Sequence, residues 1–199
     1  MIRRPSLRER SVQNRLPVWH KHGVPTPSRR SPPPPLDAAA LDRLALRYVE
    51  RFATTRGRLA DYLSRKLRER GWTGEAAPDP AAVAERMAGR GYVDDRGYAA
   101  MKGAALTRRG LGARRVADTL RGAGIAADDA APVLEEAREQ AWDSAVAFAR
   151  RKRIGPFAAA PAEPKLRERQ FAQLLRAGHA MDVARRLVAM APGELPDPE

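Results

Sequence analysis

Cysteine is absent from this chain of 199 residues, and aromatic side chains number only eleven. The absence of cysteine excludes disulfides, thiolate metal sites and a cysteine nucleophile. Ile and Phe are scarce whereas Ala, Leu and Arg dominate, which favours helix over sheet. No apolar run approaches the length of about 20 residues that a membrane span needs, and the N-terminus lacks the apolar core of a secretory signal. We therefore expect a cytoplasmic, all-α protein.

Recognisable catalytic and cofactor motifs are also missing. The three histidines, His20, His22 and His179, are scattered and do not have the spacing of a metal site. Gly110-Leu111-Gly112 resembles part of a phosphate-binding loop, but no strand is predicted before it and no third glycine follows. We interpret it as a turn. The sequence predicts no metal, no cofactor and no enzymatic activity.

Charge is strongly unbalanced. The net charge is +13, and residues 1–35 hold eight Lys or Arg against one acid, together with eight of the 17 prolines. Such a composition predicts a disordered basic tail over 1–35, and the Pro-rich residues 192–199 are expected to fray. The tail either adds attraction to phosphates or is only a solvated linker or a mis-assigned start.

Helical spacing of apolar residues begins at Leu36. Asp37 and Asp79-Pro80 are predicted to start helices, and so is Asp94 or Asp95, because a short acidic side chain caps free N–H groups. Asp128 or Asp129 is predicted to start a longer helix that continues through Ala141, Ala145 and Phe148 into a basic cluster. The chain is therefore a series of short amphipathic helices.

An internal repeat is indicated by three glycines that follow predicted helices. They lie at positions 71, 124 and 178, which are 53 and 54 residues apart. This spacing predicts tandem three-helix repeats forming an elongated, curved array over residues 36–191, with units of approximately 36–93, 94–153 and 163–191. Chance spacing of common helix-ending glycines is the alternative.

Basic residues form the remaining signal, either as a partner surface or as an ordinary solvated face. The candidates for partner binding are Arg108, Arg109, Arg114, Arg115, Arg121, Arg150, Arg151 and Lys152. Most aromatic residues occupy positions typical of a core. The sequence does not display the alternation of aromatic and basic residues that a stacking platform for single strands would need.

Two segments resemble those of the RecX family. Gly91-Tyr92-Val93-Asp94-Asp95 with Tyr98 is similar to one family motif, and Arg109-Gly110-Leu111-Gly112-Ala113-Arg114-Arg115-Val116, continuing to Gly124, is similar to another. Leu111 replaces a usual aromatic residue and Ala113 a usual proline. The glycines, Tyr92, Tyr98 and both aspartates of these motifs are expected to be structural.

The resemblance implies a non-enzymatic regulator that lies in the groove of the RecA filament on single-stranded DNA and mostly inhibits RecA. It implies no cofactor and no catalytic residues. We expect a monomer that contacts single-stranded DNA directly or through the filament, without binding a membrane. The alternative is a helical protein that binds nucleic acid without regard to sequence and without RecA.

Overall fold

The computed structural model describes residues 33–194 and is all-α over that range, as predicted. Most of the predicted tail and residues 195–199 lie outside the described part. Within it, Leu36 and Trp72 form an isolated bridge and no strand is present. The helices are α1 Ala38–Val49, α2 Arg56–Arg70, α3 Pro80–Gly89, α4 Asp95–Arg108, α5 Ala113–Arg121, α6 Ala127–Glu139, α7 Ala141–Lys152, α8 Pro164–Arg176 and α9 Met181–Ala189, with a 3-10 turn at Gly155–Phe157.

Several helix starts are those that the sequence predicts. The Asp37 carboxylate accepts a hydrogen bond from the N–H of Ala40 at 2.7 Å, and that of Asp79 accepts one from Ala82 at 2.9 Å. Pro80 occupies the first turn of α3, where its missing N–H costs nothing. Local capping therefore defines the entry to the first and third helices.

Three separate apolar cores divide the described chain into three units. The first unit packs α1, α2 and α3 around Leu59 and Leu63, and the second packs α4, α5 and α6 around Val116 and Leu120. The third unit consists of α7, α8 and α9. This arrangement agrees with the tandem three-helix repeat inferred from the glycines.

The boundary between the second and third units differs from the expected one. The long helix expected after residue 128 is broken at Gln140 into α6 and α7. Trp142 and Phe148 of α7 pack in the same core as Leu174 and Leu187, so α7 belongs to the third unit. That unit therefore begins at Ala141 rather than at residue 163.

Consecutive units meet through closely approaching backbones. A Cβ atom on Gly57, in the first turn of α2, would lie 2.6 Å from the Cα of Gly124. A Cβ atom on Gly112, just before α5, would lie 2.3 Å from the carbonyl oxygen of Gly178. In each case the start of a unit's second helix meets the glycine after the second helix of the next unit. The joints between units are thus built alike.

Candidate partner-binding surface

The eight predicted basic candidates are all exposed, and five of them lie where the second unit meets the third. The guanidinium of Arg151 on α7 donates to the carbonyl oxygen of Arg109. The N–H of Arg114 donates to the carbonyl of Gly178 at 3.3 Å. We call Arg108, Arg109, Arg114, Arg115 and Arg151 the junction patch. The structure therefore brings together basic residues that lie about 40 positions apart, such as Arg109 and Arg151, whose separation is 42.

Little in the described part of the chain neutralises the junction patch. Arg108, Arg109, Arg114 and Arg115 form no ion pair with the described residues. By contrast, Arg121 lies 2.9 Å from Asp118 and is compensated locally. The junction patch consequently presents a concentration of positive charge to solvent.

Local stability does not account for Arg114 and Arg115. Both lie in the first turn of α5, where the helix dipole disfavours positive charge. No side chain caps this helix. Instead, the backbone N–H of Gly112 donates to the carbonyl oxygen of Ala177 at 3.0 Å, and that of Arg114 donates to Gly178, both in the third unit. The helix itself therefore gives no reason for arginine at these two positions.

Arg150 and Lys152 lie in a different electrostatic setting. They occupy the last turn of α7, where positive charge complements the helix dipole. The guanidinium of Arg150 also lies 5.1 Å from the centre of the Phe157 ring. Structural roles therefore suffice for these two residues.

The two motif aspartates have different roles. Asp94 caps α4 by accepting from the N–H of Gly97 at 2.9 Å. Asp95 is buried and accepts at 3.0 Å from both the backbone N–H and the side-chain Nε of Arg56 in the first unit. The hydrogen bond with Asp95 is the main cause that raises the pKa of Arg56 above its ordinary value.

Arg56 is the centre of an ion network between the first and second units. Its guanidinium also contacts Asp129 on α6 and lies 3.2 Å from Glu85 on α3. Arg96 reaches the other oxygen of Asp129 at 2.9 Å. The prediction that Asp128 or Asp129 caps α6 is wrong, because Ala126 precedes that helix without a side-chain cap. Asp129 instead contributes to this joint.

The other motif residues lie at turns or on the surface. Gly91, Gly110 and Gly124 have positive φ. Tyr92 is 51% exposed, whereas the hydroxyl of Tyr98 accepts from Arg58 at 2.7 Å. The second motif thus contributes backbone to the joint with the third unit, and the first contributes Asp95 and Tyr98 to the joint with the first unit.

His179 is a buried residue of the joint between the second and third units. Its Nε2 lies 3.2 Å from the carbonyl oxygen of Gly110, and its ring packs edge-on against Phe148. Burial lowers the pKa of His179, an effect that the hydrogen bond to Gly110 opposes. Its Nδ1 has no hydrogen-bond partner among the described residues. The neutral ring therefore suits this site.

Neither a metal site nor a membrane span is found over residues 33–194. No group of three or more His, Asp or Glu residues there is arranged to hold an ion. No helix in the same range is long and apolar enough to cross a membrane.

Sequence comparison identifies the family. The chain is 31% identical over 160 residues to the regulatory protein RecX of Myxococcus xanthus. The aligned region covers 76% of this chain and 86% of that protein. This chain belongs to the RecX family. The RecX regulatory protein of Halorhodospira halophila is 32% identical over 147 residues. This alignment covers 74% of this chain and 85% of that protein. A search of protein-family models gives no match.

A solved RecX structure has the same fold. The crystal structure of RecX from Lactobacillus salivarius superposes with a TM-score of 0.53, covering 75% of this chain and 93% of that one, at 17% sequence identity. The RecX resemblance inferred from the two motifs is thus confirmed by the sequence comparison, and the expected helical fold agrees with the solved structure. Sequence reasoning missed the roles of Arg56 and Asp129, since nothing local distinguishes these residues from other surface charges.

Proposed function

We propose that this RecX protein binds the RecA filament on single-stranded DNA and inhibits its recombinase, ATPase and coprotease activities. Membership of a family of regulatory proteins supports a regulatory role. We choose an anionic partner because of the junction patch. Its arginines at the start of α5 form no ion pair with an acidic residue in residues 33–194.

The repeated architecture supports a bridging mechanism. Successive units of similar build can contact successive protomers of a repeating partner. Binding that is tighter to one filament state than to another would hold the filament in that state and oppose the movements or assembly steps it needs. No chemistry by this chain is required.

The direct test is RecA-dependent ATP hydrolysis on single-stranded DNA, with this protein added at less than one copy per RecA. We expect suppression at a salt concentration where the protein alone binds DNA negligibly. Inhibition that appears only when the protein coats the DNA would contradict the proposal.

A charge-neutralising variant tests the surface. Arg114, Arg115 and Arg121 changed together to Gln should weaken inhibition while helicity stays unchanged, because all three side chains are exposed. The matched control changes Arg138, Arg167 and Arg169 to Gln, which removes the same charge from exposed positions outside the junction patch. Equal effects of both variants would indicate dependence on net charge alone.

The second candidate is a nucleic-acid-binding protein that acts without RecA, which the net charge of +13 favours. Binding of that kind should ignore sequence and fall steeply with salt, because it depends on counterion release. Inhibition of RecA that disappears with salt in parallel with direct DNA binding would support this candidate.

A further inference from the structure

Three aromatic rings form a continuous row on the first unit. The ring centre of Tyr48 on α1 lies 4.3 Å from that of Tyr62 on α2 in a stacked arrangement, and 5.2 Å from that of Phe52. We call these three rings the aromatic strip. Tyr48 and Tyr62 pack against the core of the first unit, as expected for most aromatic residues, whereas Phe52 does not.

One end of the aromatic strip is open to solvent. Phe52 lies beyond the end of α1 and is 55% exposed, while Tyr48 and Tyr62 are partly buried against the core of the first unit. Packing of α1 on α2 explains the two tyrosines. It does not explain a phenylalanine that leaves half of its surface in water, because this burial adds little hydrophobic stabilisation.

Cations lie at the other end of the aromatic strip. The guanidinium of Arg65 is 5.6 Å and the ammonium of Lys66 is 5.9 Å from the centre of the Tyr62 ring. Both also lie near the carboxylate of Glu69, Arg65 at 3.7 Å and Lys66 at 2.5 Å. One acid thus faces two cations, and Arg51 precedes the exposed Phe52.

We propose that the aromatic strip is a stacking site for the unpaired bases of a single-stranded nucleic acid. Bases stack on exposed aromatic rings without regard to sequence, and nearby cations hold the phosphates that connect them. Phe52 supplies the open face, and Arg51, Arg65 and Lys66 supply the charge. Paired bases are not available to such a site because their faces are already stacked within the duplex.

Charge favours a nucleic acid over a protein as the occupant. Residues 38–70, which include the strip and both helices that carry it, contain nine basic and four acidic residues. An apolar protein segment would bury Phe52 equally well but would leave most of this excess charge without a partner. A polyanion with exposed aromatic faces satisfies both features.

This site goes beyond the proposed function and is independent of RecA. The strip belongs to the first unit, whereas the junction patch lies between the second and third units. The test therefore contains no RecA, and its failure would leave the inhibition experiment unaffected.

The test compares two oligonucleotides by fluorescence anisotropy with the full chain. One is a labelled single-stranded oligothymidylate, and the other is an abasic strand of equal length that has the same phosphates but no bases. We expect the wild-type protein to prefer the strand that has bases. Phe52→Ser should weaken thymidylate binding by about fivefold or more and leave abasic binding unchanged.

Two further variants complete the experiment. Tyr92→Ser removes another exposed aromatic residue of the first unit, outside the strip, and should keep the wild-type preference. Phe52→Trp should retain it as well, because an indole also offers a face for stacking.

Two results would overturn the proposal. The wild-type protein could bind both strands equally, or Phe52→Ser could leave the preference unchanged. If the second result were found and Phe52→Ser also weakened inhibition in the separate ATP hydrolysis experiment with RecA, the strip would be a protein contact.

Discussion

At the scale of single residues, glycine permits the contact between consecutive units. Gly57 and Gly124 approach so closely that a methyl group on either would overlap the other's backbone. Backbone atoms cannot move aside as the end of a flexible side chain can. The tolerance of this joint to substitution is therefore much lower than the moderate exposure of Gly57 would suggest.

Alanine substitution tests this contact. Gly57→Ala should lower the free energy of unfolding by about 1–3 kcal/mol, because the new methyl group overpacks the joint. Gly89→Ala is the matched control: apart from its chain neighbours and the adjacent backbone of its own helix, no heavy atom lies within 4 Å of its added Cβ, and Gly89 is also helical. The control should stabilise the protein by up to about 1 kcal/mol. Urea denaturation measures both, and equal effects would contradict the close contact.

The buried His179 predicts a dependence of stability on pH. Because burial lowers its pKa in the folded state, the unfolded chain binds the proton more readily below the ordinary value of 6.5. The free energy of unfolding should therefore fall as the pH drops from 7 towards 5, at a rate of at most about 1.4 kcal/mol per pH unit from this residue.

The variant that isolates this effect is His179→Gln, which cannot titrate but keeps an N–H group able to reach the carbonyl of Gly110. Chemical denaturation at pH 7 and pH 5 should show a smaller loss of stability for this variant than for the wild-type protein. An identical loss in both would assign the acid sensitivity to other groups.

At the scale of helices, the first and second units are joined by charge rather than by a shared apolar core. Arg56 at the start of α2 connects α3, α4 and α6 through Glu85, Asp95 and Asp129. The second and third units instead share Leu111, which packs against both of their cores. The two joints thus have similar backbones but different side-chain chemistry.

Two Asp→Asn substitutions measure the contribution of this network. Asp95→Asn should lower the free energy of unfolding by about 1–3 kcal/mol, because a buried, charge-assisted pair with Arg56 is lost. Asp118→Asn removes the same charge from the exposed pair with Arg121 and should change stability by less than about 0.5 kcal/mol. Thermal unfolding of both variants is the measurement. If Asp95→Asn left the free energy of unfolding unchanged, the ion network would not stabilise this joint.

The helices also show which features a sequence can predict. Capping by Asp37, Asp79 and Asp94 depends on neighbours three residues away and was predictable. The break at Gln140 was not, since the apolar stripe continues from Leu134 to Phe148 without a glycine or proline between them. The break results from tertiary packing, because α7 packs in the core around Leu174 in the third unit, whereas α6 belongs to the second unit.

In the candidate surface, too, local features were predictable from the sequence and contacts between helices were not. The sequence identified the exposed arginines and the glycines of the second motif. It could not show that Arg109 and Arg151 meet, nor that Tyr48 stacks on Tyr62, because these contacts join separate helices. Contacts between units depend on how the repeats pack, and local spacing does not encode this.

At the scale of the whole molecule, charge is divided between residues 1–32 and the part that the structure describes. Residues 1–32 contain eight basic residues and one acidic residue. A chain that lacks them should bind single-stranded DNA more weakly at low salt, and its affinity should depend less steeply on salt concentration. Titrations at several salt concentrations would measure this.

The same truncation separates attraction to DNA from regulation of RecA. Inhibition of RecA ATP hydrolysis at high salt should survive the truncation, because the junction patch remains complete. Loss of inhibition under those conditions would place an essential contact within residues 1–32.

The contact between Gly57 and Gly124 has a consequence for the evolutionary record of this fold. When two touching side chains differ in size, a change in one can be offset by a change in the other, and the pair then varies together across relatives. Two glycines have no smaller substitute, so no second mutation can make room for the first. We therefore expect this direct contact to leave no covariation signal, and methods that infer proximity from coupled substitutions should fail to detect it.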